Sequence, residues 1–353
     1  MTAQSLPRNP HAGVPFDATE MSDSDIAAAL EDLSVPTLLL SCVHMSGDTS
    51  ILDGPLKPQG LFLNEFQGFM SDEDRAAARE LALGVIIDWR DRGCPEPEPV
   101  EPEQLKAMMD WLVCEDVPDE YVEMLLEEME LDGADSRAVT PGVHPESAAA
   151  LPVVVIGAGM SGLLAAIRLK EAGFPFIVVE KNDGVGGTWY ENTYPGCRVD
   201  VGNHLYCYSF EPNLDWQEFF ARQPELRRYF ENTARKYGVE PHIRFDTEVQ
   251  AADFDEASGE WRVRVRAKDG ATQTLRARVL ISGVGQLNRP KLPDIDGLER
   301  FRGPAFHSAC WDHSVSLAGK RVAVIGTGAS AFQLVPEIAK EAAQVYTFQR
   351  TPQ

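Results

Sequence analysis

A short apolar run, Val153-Val-Val-Ile156, leads straight into Gly157-Ala-Gly159-Met-Ser161-Gly162. Leu163-Leu-Ala-Ala-Ile-Arg-Leu169 follows with helical character, and Phe174-Pro-Phe-Ile-Val-Val179 ends on Glu180. Few folds accommodate this order. The first run has the β-branched make-up of a buried parallel strand. Gly157 permits a tight turn, Gly159 lets backbone approach a pyrophosphate, and Gly162 lets helix and strand pack closely. The free N–H groups at the helix start suit an anion. Glu180, 23 residues after Gly157, is spaced to accept hydrogen bonds from a ribose diol. The stretch predicts a dinucleotide site; the plainer alternative is a glycine-rich turn in another α/β fold.

A second such pattern starts at Arg321-Val-Ala-Val-Ile325 and continues as Gly326-Thr327-Gly328-Ala-Ser330-Ala331. Ala331 takes the place of the third glycine, which the pattern allows. The next strand, Gln344-Val-Tyr-Thr-Phe348, runs into Gln349-Arg350-Thr351 and not into an acid. A guanidinium there can hold a 2′-phosphate, which a carboxylate would repel. Arg350 therefore points to NADP at the second site, and Glu180 to FAD at the first. A solvent-facing arginine at a strand end is the bland alternative. Two sites in one chain suggest electrons passing from a nicotinamide to a flavin.

Between and beside the fingerprints lie Asp183-Gly-Val-Gly186-Gly187-Thr188-Trp189-Tyr190, Tyr194-Pro-Gly-Cys-Arg198-Val-Asp200 and Tyr206-Cys-Tyr-Ser-Phe210. Gly283-Val-Gly285 follows the apolar strand Val279-Leu-Ile-Ser282, where the chain leaves one nucleotide domain for the next. Phe301-Arg-Gly303-Pro-Ala-Phe-His307-Ser-Ala-Cys-Trp311-Asp312 comes just before the second fingerprint. On these segments the chain resembles the flavin-dependent Baeyer–Villiger monooxygenases, whose signature Phe-x-Gly-x3-His-x3-Trp-Pro/Asp is matched in full. Members that act on aryl ketones carry a similar acidic N-terminal extension. The resemblance covers residues 151–353 strongly and the extension more loosely.

The resemblance implies an α/β flavoprotein with two Rossmann-like nucleotide-binding domains, for FAD and NADP, preceded by an all-α domain. It implies NADPH as reductant, O2 as co-substrate, and a C4a-peroxyflavin that converts a ketone such as 4-hydroxyacetophenone to an ester. Ser161, Glu180, Gly187, Thr188, Trp189, Tyr190, Asp200, Val201, Tyr206 and Val249 would line FAD. Thr327 to Gln333, with Arg350 and Thr351, would bind NADP. His307 would couple NADPH binding to closure. Asp200 would lie beside the flavin, paired with a family arginine that comes well after the second fingerprint. The chain stops at Gln353, before that arginine, and is expected to be an inactive fragment of a longer polypeptide. An N- or S-oxygenating flavin monooxygenase stays open, as does a non-catalytic fragment acting through its helices.

Charge marks a boundary. Residues 1–150 hold 31 acidic and 8 basic side chains, whereas residues 151–353 hold 24 of each. Nucleic acid is an unsuitable partner for so acidic a segment. The expected domains are 1–132 (acidic, helical), 133–150 (linker), 151–316 (FAD-binding portion) and 317–353 (start of the NADP half). Asp23 to Leu33 reads as one amphipathic helix, and another starts with Pro36 at N1. Ser71 to Asp74 resembles a capping box opening a helix to about Arg92. Further helices are expected near 103–114 and 118–130. This domain is either a solvated cap or a docking and homodimerisation surface. Six cysteines without C-x-x-C spacing fit neither zinc nor a disulfide framework, and read as reduced cytoplasmic thiols. No apolar run has membrane-spanning length, and no signal-peptide core is evident.

Overall fold

The computed structural model describes residues 18–60, 65–129, 131 and 148–351. The chain divides into two compact units, Met1–Ala138 and Val139–Gln353. The expected linker, 133–150, lies almost wholly outside the described residues.

The first unit is helical: α1 (Asp23–Leu30), α2 (Val35–Ser46), α3 (Ser50–Asp53), α4 (Asp72–Asp91), α5 (Pro102–Val113) and α6 (Glu120–Met129). Apolar spacing on α2 feeds two clusters. Val35, Leu39 and Val43 pack with Ala78, Met108 and Trp111, while Leu38 and Cys42 pack with Ile26, Leu30 and Ala82. Burying each such aliphatic side chain contributes about 1.5–3 kcal/mol. Helix α1 stops at Leu30, short of the expected Leu33. Arg79 on α4 explains the stop: its guanidinium donates to the Leu30 and Glu31 carbonyls at 3.0 and 2.8 Å, satisfying the helix end. Ser22 closes a full capping box with Asp25. The box expected at Ser71 forms by half. Its hydroxyl accepts from the Asp74 N–H, but the Asp74 carboxylate takes the Ser71 hydroxyl and not the backbone N–H. Pro36 sits one residue inside the helix start, after Val35.

The second unit contains nine strands among its described residues. They are β1 (Val153–Ile156), β2 (Phe176–Val179), β3 (Ile243–Arg244), β4 (Thr247–Asp255), β5 (Glu260–Ala267), β6 (Thr272–Ala277), β7 (Val279–Ser282), β8 (Arg321–Ile325) and β9 (Gln344–Phe348). A parallel sheet has the order β3-β2-β1-β7, an antiparallel one β4-β5-β6, and β8 pairs with β9 in parallel. Alternation along β1 builds three layers. Val153 and Val155 join Leu163, Ile167, Leu226 and Phe230 of two helices, Met160–Glu171 and Gln223–Lys236. Val154 faces Val263, Val265 and Ala277 of the antiparallel sheet. The Arg-Val alternation of Trp261–Arg266 resolves accordingly, with valines fully buried and arginines outward. The chain leaves β1 toward β2 on one side, and β7 flanks its other side. That makes the carboxyl ends of β1 and β7 a topological switch point, the usual place for a ligand crevice in such sheets.

Candidate nucleotide and active site

Three glycines meet at the switch point, each for a measurable reason. Gly157 has φ +93°, and a Cβ there would stand 2.7 Å from the Gly283 carbonyl oxygen. A Cβ on Gly162 would stand 1.8 Å from the Gly157 carbonyl oxygen, so helix and loop touch backbone to backbone. Gly283 closes the crevice from the β7 side, its N–H donating to the Ile156 carbonyl at 2.8 Å. Gly159 differs. It begins the helix in extended backbone, and an added Cβ would make ordinary contact, 3.5 Å from Gly187 Cα. Ser161 is exposed in the helix's first turn.

Glu180 is 4% exposed, and its carboxylate organises this loop. One oxygen accepts the Ala158 N–H at 2.7 Å and the other the Asn182 N–H at 2.9 Å. Each oxygen keeps a lone pair for a ribose hydroxyl. The Gly186–Gly187 turn folds back onto the fingerprint, Gly186 N–H donating to the Ala158 carbonyl at 3.0 Å. Thr188–Glu191 then forms one helical turn. Trp189 is buried, and its indole N–H donates to the Tyr206 hydroxyl at 3.1 Å. Tyr190 turns the other way. Its hydroxyl bonds the Asp183 carboxylate, which raises the phenol's pKa and lowers the acid's, and Arg227 lies over its ring at 4.7 Å. A groove of about 780 Å³ opens beside Asp183 and Tyr190, bordered by Asp246, Glu248, Arg266 and Lys268. Val249 is half-buried on β4, against the Val154–Val179 cluster.

Asp200 sits at a tip that is held at both ends. Val199 N–H donates to the Ala221 carbonyl at 3.0 Å, and Asn203 N–H to the Phe219 carbonyl at 3.1 Å. Asn203 is 1% exposed, and its side-chain oxygen accepts the Ala221 N–H at 2.8 Å. Asp200 and Val201 are exposed. The preceding loop is tied to the Trp189 wall through Gln223, whose backbone N–H reaches the Cys197 carbonyl and whose amide reaches the Trp189 carbonyl.

The second cradle is open. Gly326 has φ +108°, Gly328 starts the helix Ala329–Ile338, and an added Cβ on either meets nothing within 4 Å. Thr327, Ser330 and Ala331 line the turn, half-buried. Register pairs Ile325 with Phe348, so Arg350 and Thr351, both exposed, follow β9 at the same sheet end as the glycines. Gln333 points elsewhere than toward that turn. Its carbonyl oxygen accepts the Tyr194 hydroxyl at 2.9 Å and the Arg198 N–H at 3.1 Å, and its amide donates to the Arg198 carbonyl at 2.9 Å. His307 caps a short turn, its Nδ1 accepting the Ala309 N–H at 3.1 Å. That bond requires Nδ1 unprotonated. Trp311 packs on the main core, edge-to-face with Phe306, and His313 Nε2 bonds Thr193 at 2.8 Å.

Sequence reasoning read Gly283 only as the exit from the nucleotide domain, and passed over Asn203 and Gln223. Gly283 carried a signal, a glycine directly after an apolar strand. Asn203 and Gln223 act through contacts 18 and 34 residues away, and no local pattern announces them.

Residues 150–352 match the model of the family described as FMO-like, flavin-binding monooxygenase-like, and the chain belongs to that family. It is 39% identical over 332 residues to the uncharacterized monooxygenase y4iD of Sinorhizobium fredii, covering 93% of this chain and 49% of that protein. It is 48% identical over 201 residues to a Baeyer–Villiger monooxygenase of Streptomyces coelicolor, covering 57% and 38% respectively. Among solved structures, it is similar to OTEMO in complex with FAD and NADP. That match has a TM-score of 0.54 and 40% identity, and covers 58% of this chain and 40% of that one. The chain spans about half or less of the length of these curated relatives.

Proposed function

We propose that this chain is the nucleotide-binding part of an NADPH- and O2-dependent Baeyer–Villiger monooxygenase that converts a ketone, of the aryl type, to an ester. The observation that carries this reading is one compact unit holding two glycine cradles, with the Asp200 loop bonded to the wall of the first and the helix of the second. Relatives named as Baeyer–Villiger monooxygenases, and a neighbour holding both FAD and NADP, support it.

The residues present fit both cofactors. Gly159 leaves room for a pyrophosphate, the Met160–Glu171 helix start offers its N–H groups, and Glu180 keeps lone pairs for a ribose. Arg350 stands at the strand end where a 2′-phosphate would come. When bound, the flavin would supply hydride acceptance and oxygen activation. The chain's own part is to orient. Glu180 fixes the loop that would meet the pyrophosphate, Trp189 and Tyr206 form a rigid wall, and Asp200 would offer its carboxylate to the bound flavin. No helix among the described residues is long and apolar enough to cross a membrane; we place the enzyme in the cytoplasm.

Product analysis tests the reading. The polypeptide that contains this chain, supplied with NADPH, O2 and 4-hydroxyacetophenone, should yield the acetate ester, with water and NADP⁺ as the other products. A preparation that oxygenates thioethers and leaves every ketone untouched would remove it.

A further inference from the structure

Gln333 has a different place from the residues around it. It lies on the helix that starts at Gly328, one turn beyond the glycines, yet most of its hydrogen-bonding capacity is committed to the loop that ends at Asp200. Its amide brackets the Arg198 peptide from both sides, N–H and carbonyl, and takes the Tyr194 hydroxyl as well. The loop backbone comes close enough to the helix that a Cβ on Gly196 would stand 2.4 Å from the Gln333 backbone carbonyl oxygen. Tyr194 is 7% exposed, and the three Gln333 bonds are partly buried. From Arg198 the chain reaches Asp200 in two residues.

We propose that Gln333 is a positioning residue that couples the two nucleotide sites: a ligand on the second glycine turn braces the helix and, through the Gln333–Arg198 bracket, the Asp200 loop that borders the first. This rests on the assignment of FAD to the first cradle and NADP to the second. Both ligands favour the same ordered junction, so the first to bind carries the ordering cost and the second does not. The result is positive cooperativity, which must be reciprocal. The expected coupling is about 5- to 150-fold in affinity, the usual range for linked sites.

Titration calorimetry of the 353-residue chain tests it, with FAD added in the absence and in the presence of saturating NADP⁺, and the reverse. The wild-type chain should bind each ligand more tightly when the other is present, by the same factor. In Gln333→Ala the factor, read as the ratio of each ligand's Kd without and with the other, should fall to near one. A merely structural role would instead weaken both affinities and leave their ratio unchanged, and that outcome overturns the proposal. So does undiminished coupling in Gln333→Ala. If Gln333→Ala shows no cooperative melt, Tyr194→Phe decides. It removes one of the three Gln333 bonds, and a reduced factor supports the latch while an unchanged one rejects it. A wild-type chain that binds both ligands independently defeats this inference alone. One that binds no FAD defeats the assignment of the first cradle as well.

Discussion

At the scale of single residues, similar glycines do different work. Gly162 is demanded by packing, because a Cβ there would overlap the Gly157 carbonyl oxygen. Gly328 has open space around it and is free for a ligand. Gly162→Ala should therefore lower Tm or abolish folding, whereas Gly328→Ala should melt like wild type. Equal melting of the two, followed by differential scanning calorimetry, would contradict the crevice geometry. Glu180 combines both roles. Glu180→Ala strands the buried Ala158 N–H, at about 1–3 kcal/mol in urea unfolding, and frees the half-buried Asn182 N–H at less. Arg350 is exposed, with no hydrogen bond or ion pair among the described residues. Arg350→Ala should weaken NADP⁺ binding about 10- to 150-fold, the worth of a charge-assisted phosphate contact, and leave NAD⁺ binding unchanged. The thiols divide likewise. Burial pushes Cys42 and Cys197 up to about 11, while Cys114 and Cys310 are exposed. A thiol reagent at pH 8 should label the exposed pair first and the buried pair after unfolding.

At the scale of elements, the helical unit shows which expectations a sequence supports. Helical spacing placed α4, α5 and α6 within a residue or two, because their apolar faces pack within their own unit. The end of α1 was misplaced. Its stop is set by Arg79, 49 residues from Leu30, and no cap residue beside it signals the fact. The crevice was legible for the same reason as α4. The turn, the helix start and Glu180 are local chemistry repeated in order. The Asp200 tip and the Gln333 bracket are not local, since they rest on contacts made when separate stretches fold together. One element carries a pH prediction. Burial holds the His44 imidazole on α2 below its ordinary value of 6.5, so the folded unit keeps it neutral. The unfolded chain takes up that proton first as acid is added. Stability should then be full above pH 6.5 and decline below it, and His44→Gln should flatten that decline. An unchanged slope would assign the acid sensitivity to other groups.

At the scale of the molecule, two cradles of unequal finish share one unit. The first is enclosed by β1, β7 and the Trp189 wall. The second lies on a two-stranded sheet whose outer face exposes Ile325, Tyr346 and Phe348. In the proposed enzyme FAD occupies the first and NADP the second. Flavin retention and NADP⁺ binding in two glycine variants test it most directly. In Gly159→Val the added Cβ makes ordinary contact, and its two methyl groups would stand in the proposed pyrophosphate path. The account predicts a colourless, folded Gly159→Val chain that still binds NADP⁺. It predicts a yellow Gly328→Val chain that binds FAD stoichiometrically and no NADP⁺. A Gly159→Val chain with full FAD, or a Gly328→Val chain that loses it, would contradict the order of the two sites.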